Sequence, residues 1–130
     1  MVKKAGAFTI HILRPFPSKE IAEICKNAEV IIVAERQDSY GSNGGNMSKE
    51  IKSAFYDFKT KGEVLTRIFG LGGRDFYVDD AIEMFEQGFK AVELGEIKRF
   101  DYYGHYCGNG GKIEKYFEPV TEENGDNGIT

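Results

Sequence analysis

The stretch that decides the fold is VIIVA, residues 30–34, a continuous apolar run followed at once by a polar, glycine-rich segment. An apolar run without alternation is typical of a strand buried on both faces, as in parallel sheets that helices cover on each side. The segment that follows, residues 35–45, reads ERQDSYGSNGG and leads into a helical pattern. A buried strand, a loop and a helix in this order predict one unit of an α/β sheet.

The helix predicted after this loop has Asn46 as the residue that can cap it. Its apolar stripe has helical spacing and comprises Met47, Ile51, Ala54, Phe55 and Phe58. Gly62 ends the connection, and residues 64–69 predict another strand. A glycine-rich turn at residues 70–75 closes that strand.

Upstream of the apolar run, residues 7–13 alternate between two faces and predict a strand. Pro15 and Pro17 must take the chain out of the sheet, because proline lacks the backbone N–H that a ladder needs. Ser18 stands where an N-cap is expected, so we predict a short helix over residues 18–27. Cys25 falls on the apolar side of this helix and is expected to be a reduced, structural thiol.

The last long helix is predicted to begin near Asp79 or Asp80. One of its faces is apolar, with steps of four and three residues between Val78, Ile82, Phe85, Phe89 and Val92. The predicted order is therefore β-α-β-α-β-α, which implies a largely parallel sheet with helices packed on its faces.

Beyond residue 95 the pattern leaves two alternatives open. Residues 100–107 and 112–117 can form a hairpin around the Gly-Asn-Gly-Gly stretch at 108–111, or an aromatic arm that orders on a partner. The last ten or so residues are expected to be disordered. We therefore predict an α/β domain over residues 1–95 and an aromatic-rich extension or docking arm, with an acidic end, over residues 96–130.

Composition narrows the class of protein further. A length of 130 residues suits one domain with one core. The net charge of −4 and the absence of a basic stripe disfavour nucleic acid as a partner. No apolar run approaches the ~20 residues of a bilayer span, and no apolar signal core follows the N-terminus, so a cytoplasmic protein without a membrane partner is expected. The two cysteines provide neither a disulfide framework nor a four-ligand metal site.

Four places could carry chemistry. The turn at 70–73 follows a strand, where α/β folds bind ligands, but it lacks the nucleotide and phosphate-loop spacings. Glu35 and Asp38 beside an arginine could serve acid–base work, although such groups are more often salt-bridged. His11 is expected to be a core or half-buried residue, and the pair His105 and Cys107 lacks the remaining ligands of a tetrahedral metal site. We therefore expect no catalytic residue, bound cofactor or metal in this chain.

Three segments together resemble one family, the pyruvate:ferredoxin oxidoreductases. Leu13 followed by a proline-rich corner resembles the strand-to-helix corner of that family's domain II, through Arg14, Pro15, Phe16 and Pro17. The loop after the apolar run resembles the family's D-R-x-x-S-F-G-x-x-G-G, through Glu35, Arg36, Ser39, Tyr40, Gly41, Gly44 and Gly45, of which Glu35 and Tyr40 are conservative departures. The closing turn matches G-L-G-G-R-D, through Gly70, Leu71, Gly72, Gly73, Arg74 and Asp75.

The resemblance covers roughly residues 3–95 and implies a three-layer α/β/α fold like the C-terminal domain of transketolases. The implied parent is the α subunit of a complex that oxidatively decarboxylates a 2-oxoacid to an acyl-CoA and passes electrons to ferredoxin or flavodoxin. Thiamine diphosphate, Mg²⁺, iron–sulfur clusters and coenzyme A are implied for that complex. The family binds them outside this domain, so a structural, assembly role beside other subunits is expected. The alternative is a free-standing phosphate- or nucleotide-binding α/β module.

The chain departs from the family pattern near both ends of the resemblance. Family members place a further strand and helix before the segment that here begins at Val2, so we expect an incomplete domain with an uncovered sheet edge or face. Tyr77 and Val78 stand where the family usually has Thr-Pro.

Overall fold

A computed structural model describes residues 3–39, 41–95, 98–106 and 113–114. Three helices and three strands build the main body. The helices are α1 (Ser18–Cys25), α2 (Asn46–Asp57) and α3 (Val78–Leu94), and the strands are β1 (Val30–Glu35), β2 (Glu63–Ile68) and β3 (Phe100–Tyr102). A 3₁₀ turn over Leu71–Gly73 precedes α3, and two short strands follow, β4 (His105–Tyr106) and β5 (Ile113–Glu114).

The main sheet has the order β1-β2-β3, and both neighbouring pairs are parallel. Within it, Ile31 pairs with Val64 and Glu35 with Ile68, so the strands end at the same edge. The prediction of a parallel α/β sheet is confirmed. The strands β4 and β5 pair antiparallel, as in the hairpin alternative, but residues 100–102, which that alternative placed in the same hairpin arm, join the main sheet instead.

One face of the sheet carries the apolar core. Ile31 and Val33 of β1 and Val64 of β2 pack there against residues of α1 and α2. The buried members of this cluster are Ile21, Cys25, Ile31, Val33, Ile51, Phe55 and Val64. Cys25 is buried as predicted, and burial raises the pKa of its thiol, which keeps it protonated near neutral pH.

The helix α3 covers the opposite face. Successive strand residues point to opposite sides of a sheet, so Ile32 and Arg67 point away from the core. A Cβ added at Gly88 of α3 would lie 3.3 Å from Ile32 Cδ1, and Arg67 Nε donates to Gln87 Oε1 of α3 over 2.8 Å. Helices on both faces, as the sequence pattern predicts, give the three-layer α/β/α arrangement that the resemblance implies.

The predicted strand over residues 7–13 is wrong, because this segment pairs with no other strand within the described residues. Phe8 and Ile12 are exposed, while Ile10 packs against the core. His11 is exposed rather than half-buried as expected. A strand-forming sequence becomes a strand only where a neighbour offers its backbone, so propensity alone misassigned this segment.

Three further details differ from the predictions. The strand β1 is buried fully on the core side only, since Val30 and Ile32 are half-buried and Ala34 is exposed. Ser18 is the first residue of α1 and Pro17 its N-cap, while Gly45 rather than Asn46 is the N-cap of α2. Neither helix has a side-chain cap from its own N-cap residue.

The sheet continues past residue 95, where the sequence places the end of the domain, because Phe100–Tyr102 forms its third strand. Tyr103 directly after it is buried. Residues 107–112 and 115–130 lie outside the described residues, so the division into a domain and an arm stays a prediction. No helix in the described part of the chain is long and apolar enough to cross a membrane.

Candidate functional site

The loops after β1 and β2 lie side by side at the carboxyl edge of the sheet, because parallel neighbouring strands end together there. Arg36 from the first loop lies against Gly70 at the start of the second. A Cβ at Gly70 would lie 2.9 Å from Arg36 Nε, and the φ of +68° there also favours glycine. Two of the three segments that resemble the family therefore form one surface.

Glu35, the last residue of β1, caps the helix α2. Its carboxylate accepts from the backbone N–H of Met47 over 2.6 Å and of Ser48 over 3.1 Å, and also from the Ser48 hydroxyl. Both residues lie in the first turn of α2, where backbone N–H groups have no partner within the helix and the dipole favours a negative charge. Glu35 is thus a capping residue supplied by the sheet.

The glycines at 44 and 45 allow this close approach. A Cβ at Gly45 would lie 2.6 Å from the Gln37 carbonyl oxygen and 2.7 Å from Glu35 Oε1. At Gly44 the φ is +134°, and a Cβ would lie 3.0 Å from Ser48 Oγ. These glycines therefore serve the packing of the loop against the strand end and α2.

The second loop is fastened to α3 through Asp80. Its carboxylate accepts from the Tyr77 backbone N–H over 2.8 Å and from the Tyr103 hydroxyl over 2.9 Å, and it pairs with Arg74 over 3.4 Å. Burial alone would raise the pKa of Asp80, but these hydrogen bonds and the Arg74 charge hold that pKa below its ordinary value. Burial, with Asp80 and Glu83 nearby, raises the pKa of Tyr103, which stays a donor.

Further contacts tie the first loop and the G-L-G-G-R-D turn to their surroundings. The Tyr102 hydroxyl donates to Asp38 over 2.6 Å, and the Tyr77 hydroxyl donates to Asp75 over 3.2 Å. The Ser39 carbonyl accepts from the Ser42 N–H over 2.9 Å, which closes a turn around Gly41. The exposed Gly72 and Gly73 both have positive φ, and Tyr40 lies outside the described residues.

The proline corner, residues 14–17, connects the N-terminal segment to α1 and contacts α2. Arg14 pairs with Glu50 of α2 over 2.8 Å, and Phe16 packs partly against the core. The Arg14–Pro15 peptide is cis, and Pro17 is the N-cap of α1. This third resembling segment therefore supports α1 and α2 instead of joining the two loops.

The arrangement does not fit the binding of an anion or a metal. The N-terminus of α2 carries the Glu35 carboxylate and that of α3 carries Asp80, so a phosphate at either helix end would meet negative charge. Glu35 accepts from the Ser48 hydroxyl and Asp38 from the Tyr102 hydroxyl, so both carboxylates have a structural role instead of the acid–base role considered for them. Among the described residues, no three His, Cys, Asp or Glu side chains come together as a group that could hold a metal ion.

Sequence reasoning found the two loops but missed the groups that hold them. Ser48, Asp80, Tyr102 and Tyr103 were assigned no contact with these loops. The signal in the sequence for Asp80 is its position three residues after Tyr77, where a carboxylate can accept from the backbone N–H of the N-cap residue. Tyr102 ends a three-residue strand that no periodicity reveals, and Tyr103 follows it directly.

We expect Asp80→Asn to be less stable than the unmodified chain at pH 7, and this difference to shrink as the pH falls below about 4. A carboxyl whose pKa is lowered in the folded state stabilises it above the unfolded-state pKa, and that stabilisation is lost as the pH falls through the folded-state pKa. Urea unfolding between pH 7 and pH 3 measures it. The control is Asp57→Asn on the exposed side of α2, and a pH-independent difference for Asp80→Asn would contradict the expectation.

A protein-family match covers both of these loops and the strands β1 and β2 that precede them. The family model described as "Pyruvate:ferredoxin oxidoreductase core domain II" matches residues 2–81. The pyruvate synthase subunit PorA of Methanosarcina barkeri is 32% identical over 93 residues, which are 72% of this chain and 23% of that protein. The ketoisovalerate oxidoreductase subunit VorA of Pyrococcus horikoshii is 36% identical over 101 residues, 77% of this chain and 25% of that protein. The chain thus spans about a quarter of the length of these relatives. It belongs to the family of pyruvate:ferredoxin oxidoreductase core domain II.

Proposed function

We propose that this chain is a non-catalytic assembly domain of a thiamine-diphosphate-dependent 2-oxoacid:ferredoxin oxidoreductase of the pyruvate synthase type. The whole complex would convert a 2-oxoacid to an acyl-CoA, with thiamine diphosphate, Mg²⁺ and iron–sulfur clusters held by other domains or subunits. This domain would pack against those domains and shape the contacts between them.

The observation that carries the proposal is that the carboxylates at the carboxyl edge of the sheet form hydrogen bonds within the domain. Glu35 caps α2, Asp80 joins α3 to Arg74 and Tyr103, and Asp38 accepts from Tyr102. A catalytic group needs a lone pair or a proton directed at a substrate, whereas the lone pairs of these carboxylates accept hydrogen bonds from other residues of the domain. The names of the relatives, pyruvate synthase and ketoisovalerate oxidoreductase subunits, support the class of parent complex.

The test is affinity purification of the tagged chain from an anaerobic extract of its source organism, with identification of the co-purifying proteins by mass spectrometry. We expect oxidoreductase subunits among them, and no thiamine diphosphate bound to the isolated chain by isothermal titration calorimetry. Recovery of the chain alone, or stoichiometric binding of thiamine diphosphate by it, would contradict the proposal.

A thermal-shift series with inorganic phosphate, ADP and ATP tests the alternative of a phosphate- or nucleotide-binding module. A ligand at a hundredfold excess over its dissociation constant stabilises the folded state by about 2.7 kcal/mol, which is readily measured. We expect no such stabilisation, because both helix N-termini at this edge already carry a carboxylate.

A further inference from the structure

The helix α3 turns its apolar stripe away from its own domain. The fully buried residues of this helix are Asp80, Met84 and Gln87, two of them polar. The stripe comprises Val78, Ile82, Phe85, Phe89 and Val92. Of these, Val78 is 75%, Ile82 51%, Phe85 41% and Val92 45% exposed, and Phe89 is half-buried. A helix whose outer side met only water would turn its apolar residues towards the sheet and its polar residues towards the solvent.

The stripe has the spacing of a coiled-coil seam. Its steps of four, three, four and three residues are those of alternating a and d positions over two heptads. At a rise of about 1.5 Å per residue it extends for ~21 Å along α3. A seam of this kind fits the knobs of a second helix, so the geometry favours a helical occupant over an extended strand or a flat surface.

One border of the stripe is uniformly acidic. If Val78, Phe85 and Val92 are d positions, then Asp79, Glu86 and Glu93 occupy the three adjacent e positions, and all three are exposed. The other border consists of Ala81 and Gly88, and Gly88 faces Ile32 of the sheet. Charged side chains at these flanking positions select the partner helix, so an acidic row selects a basic one.

A basic residue of the N-terminal segment already contacts the acidic row at one end of the stripe. Lys3 Nζ lies 3.3 Å from Glu93 Oε1 and 5.0 Å from the centre of the Phe89 ring. A single ammonium group thus contacts both the acidic row and the apolar seam. Further lysines or arginines at the spacing of Asp79 and Glu86 would complete the match.

We propose that the α3 stripe is the docking surface for an amphipathic helix with a basic flank, contributed by the part of the oxidoreductase that lies outside this chain. This inference rests on the proposed function. About three quarters of each relative's length lies outside the matched region, which is long enough to contain such a helix. An antiparallel helix pair with a second copy would set acidic row against acidic row. The acidic stretch 118–126 of this chain would meet the same repulsion.

The test places a photo-cross-linking benzoylphenylalanine at Ile82 or at Val92, with Tyr56 as the control position. Tyr56 is 85% exposed on α2, on the other side of the sheet. Each chain is irradiated in the anaerobic extract, and cross-linked peptides are mapped by mass spectrometry. We expect cross-links from positions 82 and 92, and none from position 56, to a helical segment of an oxidoreductase subunit with lysine or arginine flanking its apolar seam.

Two variants, one double and one single, probe the seam and the acidic row separately. Ile82→Ser with Val92→Ser should reduce recovery of the cross-linked subunit at least tenfold, and Glu86→Lys should also reduce it and weaken its dependence on salt. Tyr56→Ser should leave recovery unchanged, and thermal unfolding checks that each variant is folded. Equal recovery with the seam variants, or cross-links to a second copy or to residues 107–130, overturns this inference while the assembly role stands. Failure of the unmodified chain to recover any oxidoreductase subunit overturns both.

Discussion

Replacing Arg67 with alanine is expected to lower the free energy of unfolding by about 3–5 kcal/mol, because it removes a large buried side chain together with the hydrogen bonds that its guanidinium makes. Arg67 is 1% exposed in the middle of β2. Its guanidinium donates to Gln87 over 2.8 Å and to the carbonyl oxygens of Thr66 and Lys98 over 2.9 and 3.0 Å. Alanine would remove two buried hydrogen bonds and one partly buried hydrogen bond and would open a cavity between β2 and α3.

The two costs can be separated. Arg67→Met keeps most of the volume but removes the donors, so it reports the unpaired acceptors. The double variant Arg67→Met with Gln87→Met removes one of those acceptors as well and should recover part of the stability lost in Arg67→Met. Chemical denaturation followed by circular dichroism measures each free energy.

The matched control is Arg99→Ala. Arg99 pairs with Glu63 at the surface, where its side chain is 68% exposed, and removing such a pair costs at most about 1 kcal/mol. If Arg67→Ala and Arg99→Ala have equal effects, Arg67 does not hold α3 to the sheet.

Arg67 also shows where sequence reasoning reaches its limit. The pattern VLTRIF predicts the strand correctly from its β-branched and aromatic residues. It gives no sign that the arginine is buried, because burial of a charge depends on acceptors from residues 87 and 98, far along the chain. Local patterns therefore define the strand, while the partners of Arg67 follow only from the tertiary structure.

The N-terminal segment illustrates the opposite error. Residues 7–13 alternate as a strand should, yet no strand in the described residues pairs with them. A strand needs a neighbouring strand to pair with, and within the described residues β1 pairs with β2 alone. Periodicity reports which face a residue would occupy, but it does not report whether a partner strand is present.

The spacing of apolar residues predicted the stripe on α3, but it did not predict whether the stripe faces the core or the outside of the domain. The same periodicity describes a helix that faces its own core and one that faces a partner. What decides between them is the opposite side of the helix, where Gln87 meets Arg67 and Asp80 meets Tyr103. Those polar contacts hold α3 on the sheet by its hydrophilic side, and so the apolar stripe is left outward.

Replacing Glu35 with alanine is expected to lower the free energy of unfolding by about 2–4 kcal/mol, because the partly buried N–H of Met47 and the buried N–H and hydroxyl of Ser48 lose their acceptor together. Glu35 is 8% exposed, so water does not readily replace the carboxylate. The first turn of α2 should unfold first, and amide hydrogen exchange at residues 47–49 should rise more than at residues 54–57.

The variant Glu35→Gln keeps the size of the side chain but directs an NH₂ group at one of the donors, so its loss should lie between those of the alanine variant and the unmodified chain. Ser48→Ala removes one donor and should cost about 1 kcal/mol alone, and less in the presence of Glu35→Ala, because the two share one hydrogen bond. Glu50→Gln, which breaks only the partly exposed pair with Arg14, is the control.

The outcome also bears on how the two loops serve assembly. If Glu35→Ala frays α2 but oxidoreductase subunits still co-purify, Glu35 acts within the domain and the contact surface lies elsewhere, as the α3 stripe requires. If instead co-purification is lost while unfolding is unchanged, Glu35 contacts a partner directly, and its position as the internal cap of α2 is not what the family motif serves. The internal hydrogen bonds of Glu35 favour the first result, because a carboxylate that already accepts from three donors has little capacity left for a partner.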